Sequence, residues 1–75
     1  MIMPSKHITQ EQALLGVGAV LLRELAEPHT VTGLWEKVRN HRSVGTYERF
    51  ILALDMLYIS GAVLLVHGMI SRSAQ

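Results

Sequence analysis

The stretch from Thr46 to Ile70, reading TYERFILALDMLYISGAVLLVHGMI, constrains the fold more than any other part of the chain. Tyr47, Phe50, Ile51, Leu54, Leu57 and Tyr58 recur at the spacing of one helix face and predict a core stripe. Thr46 is the expected N-cap, because its hydroxyl can accept from an unpaired N–H of the first turn. Gly61 fits the left-handed position that ends a helix. Ala62 to Val66 then reads as a strand and Met69 to Arg72 as its return. Between them His67-Gly68 suits a two-residue turn, since Gly tolerates positive φ and His does so better than most residues.

Upstream, Thr9 and Gln12 form the pattern of a capping box. The helix they open is expected from Gln10 to Ala26, with Leu14, Leu15, Gly18, Leu21, Leu22 and Leu25 inward. Ala13, Gly16, Val17 and Val20 would then form a small apolar back face. Glu27-Pro28-His29 breaks the helix. Thr30 or Thr32 caps a second helix ending near Asn40, with Val31, Leu34, Trp35 and Val38 inward and Trp35 as a core anchor. Asn40 to Gly45 is the turn into the third helix. Residues 1–8 read as an extended arm in which Pro4 opposes helix, and residues 73–75 as a loose tail. The reading is one domain over 1–75, mostly α with a small β-hairpin: a winged helix-turn-helix-like order of three helices and a two-stranded wing.

With 75 residues the chain has room for one small domain, and without Cys it has no disulfide or thiolate staple. Yet 49% of its residues are hydrophobic and the mean hydropathy is +0.28. A core this small cannot hide so much apolar surface, so part of it is expected to meet another protein. The net charge of +1 gives no strong pull toward nucleic acid or membrane. The strongly apolar run Ala13 to Leu22 is far shorter than the roughly 20 residues of a membrane span. Lys6 lies before it, but Glu11 and Gln12 interrupt and no small-residue cleavage site follows. A cytoplasmic protein is expected.

Catalytic chemistry finds little footing. His7, His29, His41 and His67 are scattered without the spacing of metal ligands. The six carboxylates form no evident acid–base pair, and the Ser and Thr residues are best explained as caps and turns. Gly16-x-Gly18 lacks the strand that must precede a phosphate-binding loop. No enzyme activity, metal site or cofactor is expected.

The third helix instead carries a second apolar stripe. Opposite the core face, Glu48, Arg49, Asp55 and Ser60 lie at the margins and Leu52, Met56 and Ile59 run down the middle. A helix that reads base edges needs Arg, Lys, Asn or Gln there, whereas Leu, Met and Ile suit an apolar partner. Side chains alternate across a hairpin. If Val63, Leu65 and Ile70 point inward, Leu64, Val66 and Met69 point out. The wing tip offers His67-Gly68 rather than the Lys or Arg of a phosphate grip. Asp55, flanked by apolar residues, is expected to make a structural hydrogen bond or an interface salt bridge. A basic cluster of Lys37, Arg39, His41, Arg42 and Arg49, diluted by Glu36 and Glu48, supports a secondary reading in which Lys37, Arg39, Arg42 and Arg49 contact nucleic acid in a small DNA-binding transcriptional regulator. A self-assembling homodimer or antitoxin is a third possibility.

Several segments together resemble a known family: Met3-Pro4-Ser5-Lys6-His7-Ile8, Leu14-Leu15-Gly16, Thr30-Val31 with Leu34-Trp35, and Leu52-Ala53-Leu54-Asp55-Met56-Leu57-Tyr58 closing on Gly61-Ala62. They are similar to the small middle-component proteins of ABC three-component systems, over nearly the whole chain and through many weak positions rather than one motif. The resemblance implies a non-catalytic adaptor or regulatory subunit in a hetero-complex. Its implied partners are an SMC/Rad50-like ABC ATPase and an effector, often a nuclease, as in Lamassu-type bacterial defence against phage and plasmids. It transfers no catalytic residue. Pro4, Lys6 and His7 match its N-terminal motif without an implied role.

Overall fold

A computed structural model describes residues 9–73. Three helices, α1 (Gln10–Glu24), α2 (Val31–Val38) and α3 (Tyr47–Ile59), precede an antiparallel hairpin of β1 (Val63–Val66) and β2 (Met69–Arg72). The protein is thus a small helix-rich domain with a hairpin wing. The arm over residues 1–8, with Pro4, Lys6 and His7, lies outside the described residues.

Each helix begins on the Thr that its sequence offers. Thr9 and Gln12 form the reciprocal capping box. The Thr30 hydroxyl accepts from Gly33 N–H at 2.9 Å, and that of Thr46 from Arg49 N–H at 3.1 Å. Such a cap contributes about 1 kcal/mol each. The helices stop slightly short of expectation, α1 at Glu24 and α2 at Val38. The αL residue after α3 is Gly61, at φ +84°. His67 and Gly68, at φ +53° and +77°, make the two-residue turn whose twist matches a hairpin.

The core is Val17, Val20, Leu21 and Leu25 from α1, Leu34 and Val38 from α2, and Phe50, Ala53 and Leu57 from α3, closed by Val44, Val63 and Ile70. Gly18 lets α1 approach α3 closely, because a Cβ there would lie 3.3 Å from Met56 Cε and 3.4 Å from Leu57 Cδ2. Trp35 is half-buried and anchors an aromatic cluster. Its ring meets Tyr47 edge-on at 5.1 Å and Phe50 at 5.2 Å between centroids.

Four expectations are corrected, three about facing and one about the tail. First, α1 is rotated relative to the Leu stripe: Val17 and Val20 are core, while Leu15 is 61% exposed. The cause is that α1 packs against both α2 and α3, so its buried arc is wider than one stripe and centres on Leu21. Second, Tyr47 and Tyr58 lie outside the α3 core stripe, each about half exposed; the buried line is Phe50, Ala53 and Leu57, and the small Ala53 admits the neighbouring helices. Third, Leu65 is 53% exposed although it alternates with buried Val63, because the helices cover only the base of the hairpin. Fourth, Ser73 is anchored: its N–H donates to Ala62 C=O and its hydroxyl to Gly61 C=O.

Two connections do structural work that their composition conceals. His29, just before α2, bridges Ile70 as a third strand segment, its N–H donating to Ile70 C=O at 3.1 Å and its C=O accepting from Ile70 N–H at 2.7 Å. In the turn before α3, Val44 is fully buried, set there by N–H bonds from Val44 and Gly45 to His41 C=O.

Candidate interaction surface

No buried polar or charged side chain occurs among the described residues, and no cluster of His, Asp and Glu there could hold a metal ion. What the surface offers is apolar area. Among the described residues nine large hydrophobic side chains are exposed: Leu15 on α1, four on α3 (Tyr47, Leu52, Tyr58, Ile59) and four on the hairpin (Leu64, Leu65, Val66, Met69). Eight of the nine therefore belong to α3 and the hairpin.

Of the expected docking residues, Ile59 is the most open at 82%. Leu52 is exposed, and so are Leu64, Val66 and Met69. Met56 is half-buried and packs against the core, resting on α1 at Gly18. Met56 thus ties α3 to α1 and offers only part of its surface to a partner. Sequence reasoning missed Leu65 and Tyr58 as surface groups; the shortness of the hairpin's contact with the helices decides the first and no pattern in the sequence marks it.

An open apolar groove of about 330 Å³ runs between α3 and the hairpin. Ile51, Leu54 and Tyr58 form one wall and Val63, Leu64 and Leu65 face them. Asp55 is the single charged residue of its lining. Neither a hydrogen bond nor an ion pair engages the Asp55 carboxylate among the described residues, so the structural bond expected for it is absent there.

Arg39 pairs with Glu36 at 3.4 Å and lies 5.8 Å from the Trp35 ring centroid. Arg49 folds toward Gly45, where its guanidinium approaches to 3.3 Å of where a Cβ would stand. Lys37 and Arg42 are exposed, on α2 and in the following turn.

The fold and surface define a small, largely apolar-faced domain of three helices and a wing, without a recognisable catalytic centre among its described residues. A family model described as ABC-three component (ABC-3C) system Middle Component 6 matches residues 3–69. The chain belongs to this family and is a middle component of an ABC three-component system. No curated protein and no solved structure matches the chain. No helix among the described residues is long and apolar enough to cross a membrane.

Proposed function

We infer that this protein is a non-catalytic adaptor that joins an SMC/Rad50-like ABC ATPase to an effector, a nuclease in the simplest case, within a Lamassu-type defence complex of the cytoplasm. The observation that carries this reading is the concentration of exposed hydrophobic side chains on α3 and the hairpin. Burying apolar surface yields about 25 cal/mol per Å², and large exposed apolar area on a small domain marks an interaction site. Leu52 and Ile59 on α3, with Leu64, Val66 and Met69 on the hairpin, are the side chains proposed to meet the partner, and Met56, also on α3 and packed against α1 at Gly18, adds the part of its surface left open. The net charge of +1 argues against a phosphate-tracking face, because a groove that grips a duplex needs a surplus of cations.

The test is co-expression with the ATPase and effector encoded alongside. The wild-type chain should co-purify with at least one of them. Leu52→Glu with Ile59→Glu, both at exposed positions, should abolish co-purification while circular dichroism stays native. Retained co-purification would remove the α3 face from the interface. Duplex DNA binding that weakens steeply with salt and disappears in Arg39→Ala with Arg49→Ala would favour a DNA-binding regulator instead.

A further inference from the structure

The hairpin has two edges, and only one is closed. The pair Val66–Met69 flanks the two-residue turn, so it exchanges both of its backbone hydrogen bonds across the hairpin. Pairs alternate, and Leu65–Ile70 is then a non-bonded pair whose N–H and C=O groups point away from the partner strand. Ile70 confirms the parity, because it spends both groups on His29, at 2.7 and 3.1 Å. Ser73 N–H to Ala62 C=O at 2.9 Å confirms it again at the base. Leu65 must likewise turn its N–H and C=O outward, along the free side of β1. No backbone bond to either group exists among the described residues, and Leu65 is 53% exposed.

Among the described residues that edge has its shortness, four residues, as its one usual protection. Exposed edges are normally blunted by Lys, Pro, a bulge or a covering element. Here β1 reads VLLV with no bulge in its pairing. The edge also borders the groove whose other wall is α3, where the unpaired Asp55 carboxylate is the one charge. An apolar occupant alone would bury that carboxylate without compensation, at a cost that a cationic group removes. A helical occupant would leave the Leu65 backbone groups without partners, whereas an extended chain satisfies them.

We propose that the groove between α3 and β1 receives an extended, apolar segment of a partner protein, which adds to the β1 edge through Leu65 and places a Lys or Arg against Asp55. This is β-strand addition, in which main-chain bonds supply affinity and the flanking groups select the sequence. A second copy of this chain fits less well, since pairing β1 with β1 would supply no cation from either uncharged strand. The proposal rests on the adaptor reading and specifies what the partner must contribute.

The test uses the full chain in complex with whichever of the ATPase and effector co-purifies with it. Hydrogen exchange at the Leu65 amide should slow at least about tenfold on complex formation, as expected when an open N–H gains a partner. Asp55→Lys should weaken the complex at least about tenfold, and Asp55→Asn should weaken it less; both substitutions are at an exposed position and should fold normally. A complex that forms with unchanged exchange at Leu65, or that tolerates Asp55→Lys, overturns the proposal while leaving the adaptor reading intact. Concentration-dependent protection of Leu65 in the isolated chain also overturns it, and makes the occupant a second copy. If neither component co-purifies with the wild-type chain, the adaptor reading falls and this proposal with it.

Discussion

Gly16 and Gly18 sit two residues apart in α1 and should respond oppositely to added side chains. Both carry the helix penalty of Gly, about 1 kcal/mol relative to Ala. A Cβ at Gly16 meets nothing within 4 Å, so Gly16→Ala recovers that amount without a steric cost. In a domain of this size about 1 kcal/mol corresponds to a rise in Tm of roughly 4–8 °C. At Gly18 the same methyl would stand 3.3 Å from Met56 Cε and 3.4 Å from Leu57 Cδ2. The Met56 end can shift, but Leu57 is buried and hemmed in, so Gly18→Ala should gain less than Gly16→Ala. Gly18→Leu places three further carbons in that contact, and overpacking should cost roughly 1–3 kcal/mol. Thermal and urea unfolding of the three variants, followed by circular dichroism, measures each shift. Equal gains for the two Ala variants, or a neutral Gly18→Leu, would refute the close approach of α1 and α3.

Two more substitutions probe the connections. Val44→Ala should destabilise by roughly 2–3 kcal/mol in urea unfolding, the cost of a cavity under a fully buried side chain; a change under about 0.5 kcal/mol, typical of surface positions, would place Val44 outside the core. At the hairpin turn, Gly68→Ala should cost about 1 kcal/mol because its φ is +77°, while His67→Asn should be neutral or slightly stabilising, since Asn accepts positive φ more readily than His. The reverse order in thermal unfolding would show that the turn is of another type.

Local signals in the chain were legible because their chemistry is local. Thr9, Thr30 and Thr46 cap where they should, and Gly61 and Gly68 take the positive φ that ends a helix and closes a hairpin. Each outcome is decided within three or four residues. The order of three helices and a wing followed from those stops and starts. Facing was less legible. Whether Leu15 or Val17 points inward depends on where α2 and α3 lie against α1, which periodicity in α1 alone does not contain. The inward parity assigned to Leu65 is right as geometry and wrong as burial, since alternation says which side a residue faces and not whether anything covers that side. His29 reads as a helix breaker and acts as a strand partner of Ile70, because one bridge of two hydrogen bonds leaves no pattern in composition. The apolar stripe through Leu52 and Ile59 was visible as a stripe; the support of Met56 by Gly18 was not, since it joins residues nearly forty positions apart.

The distribution of apolar surface bears on whether it is merely the residue of a small core. A chain with more hydrophobic side chains than its interior can hold would expose the surplus wherever helices face outward. This molecule does not. The outer positions of α2 are Thr32, Glu36 and Lys37, all exposed, and α1 turns Glu11, Gln12 and Arg23 outward with Leu15 as its one large apolar exception. The surplus gathers instead on α3 and the hairpin, which are adjacent in space and share one groove. The sheet is asymmetric in the same sense: His29 closes the β2 edge, and the β1 edge, whose Val63, Leu64 and Leu65 line the groove with α3, stays open among the described residues. The third helix also exposes Glu48, Arg49 and Asp55, yet four large hydrophobic side chains stand exposed beside them. That concentration, next to an open strand edge, is the pattern expected of a surface shaped by a partner rather than by a shortage of interior.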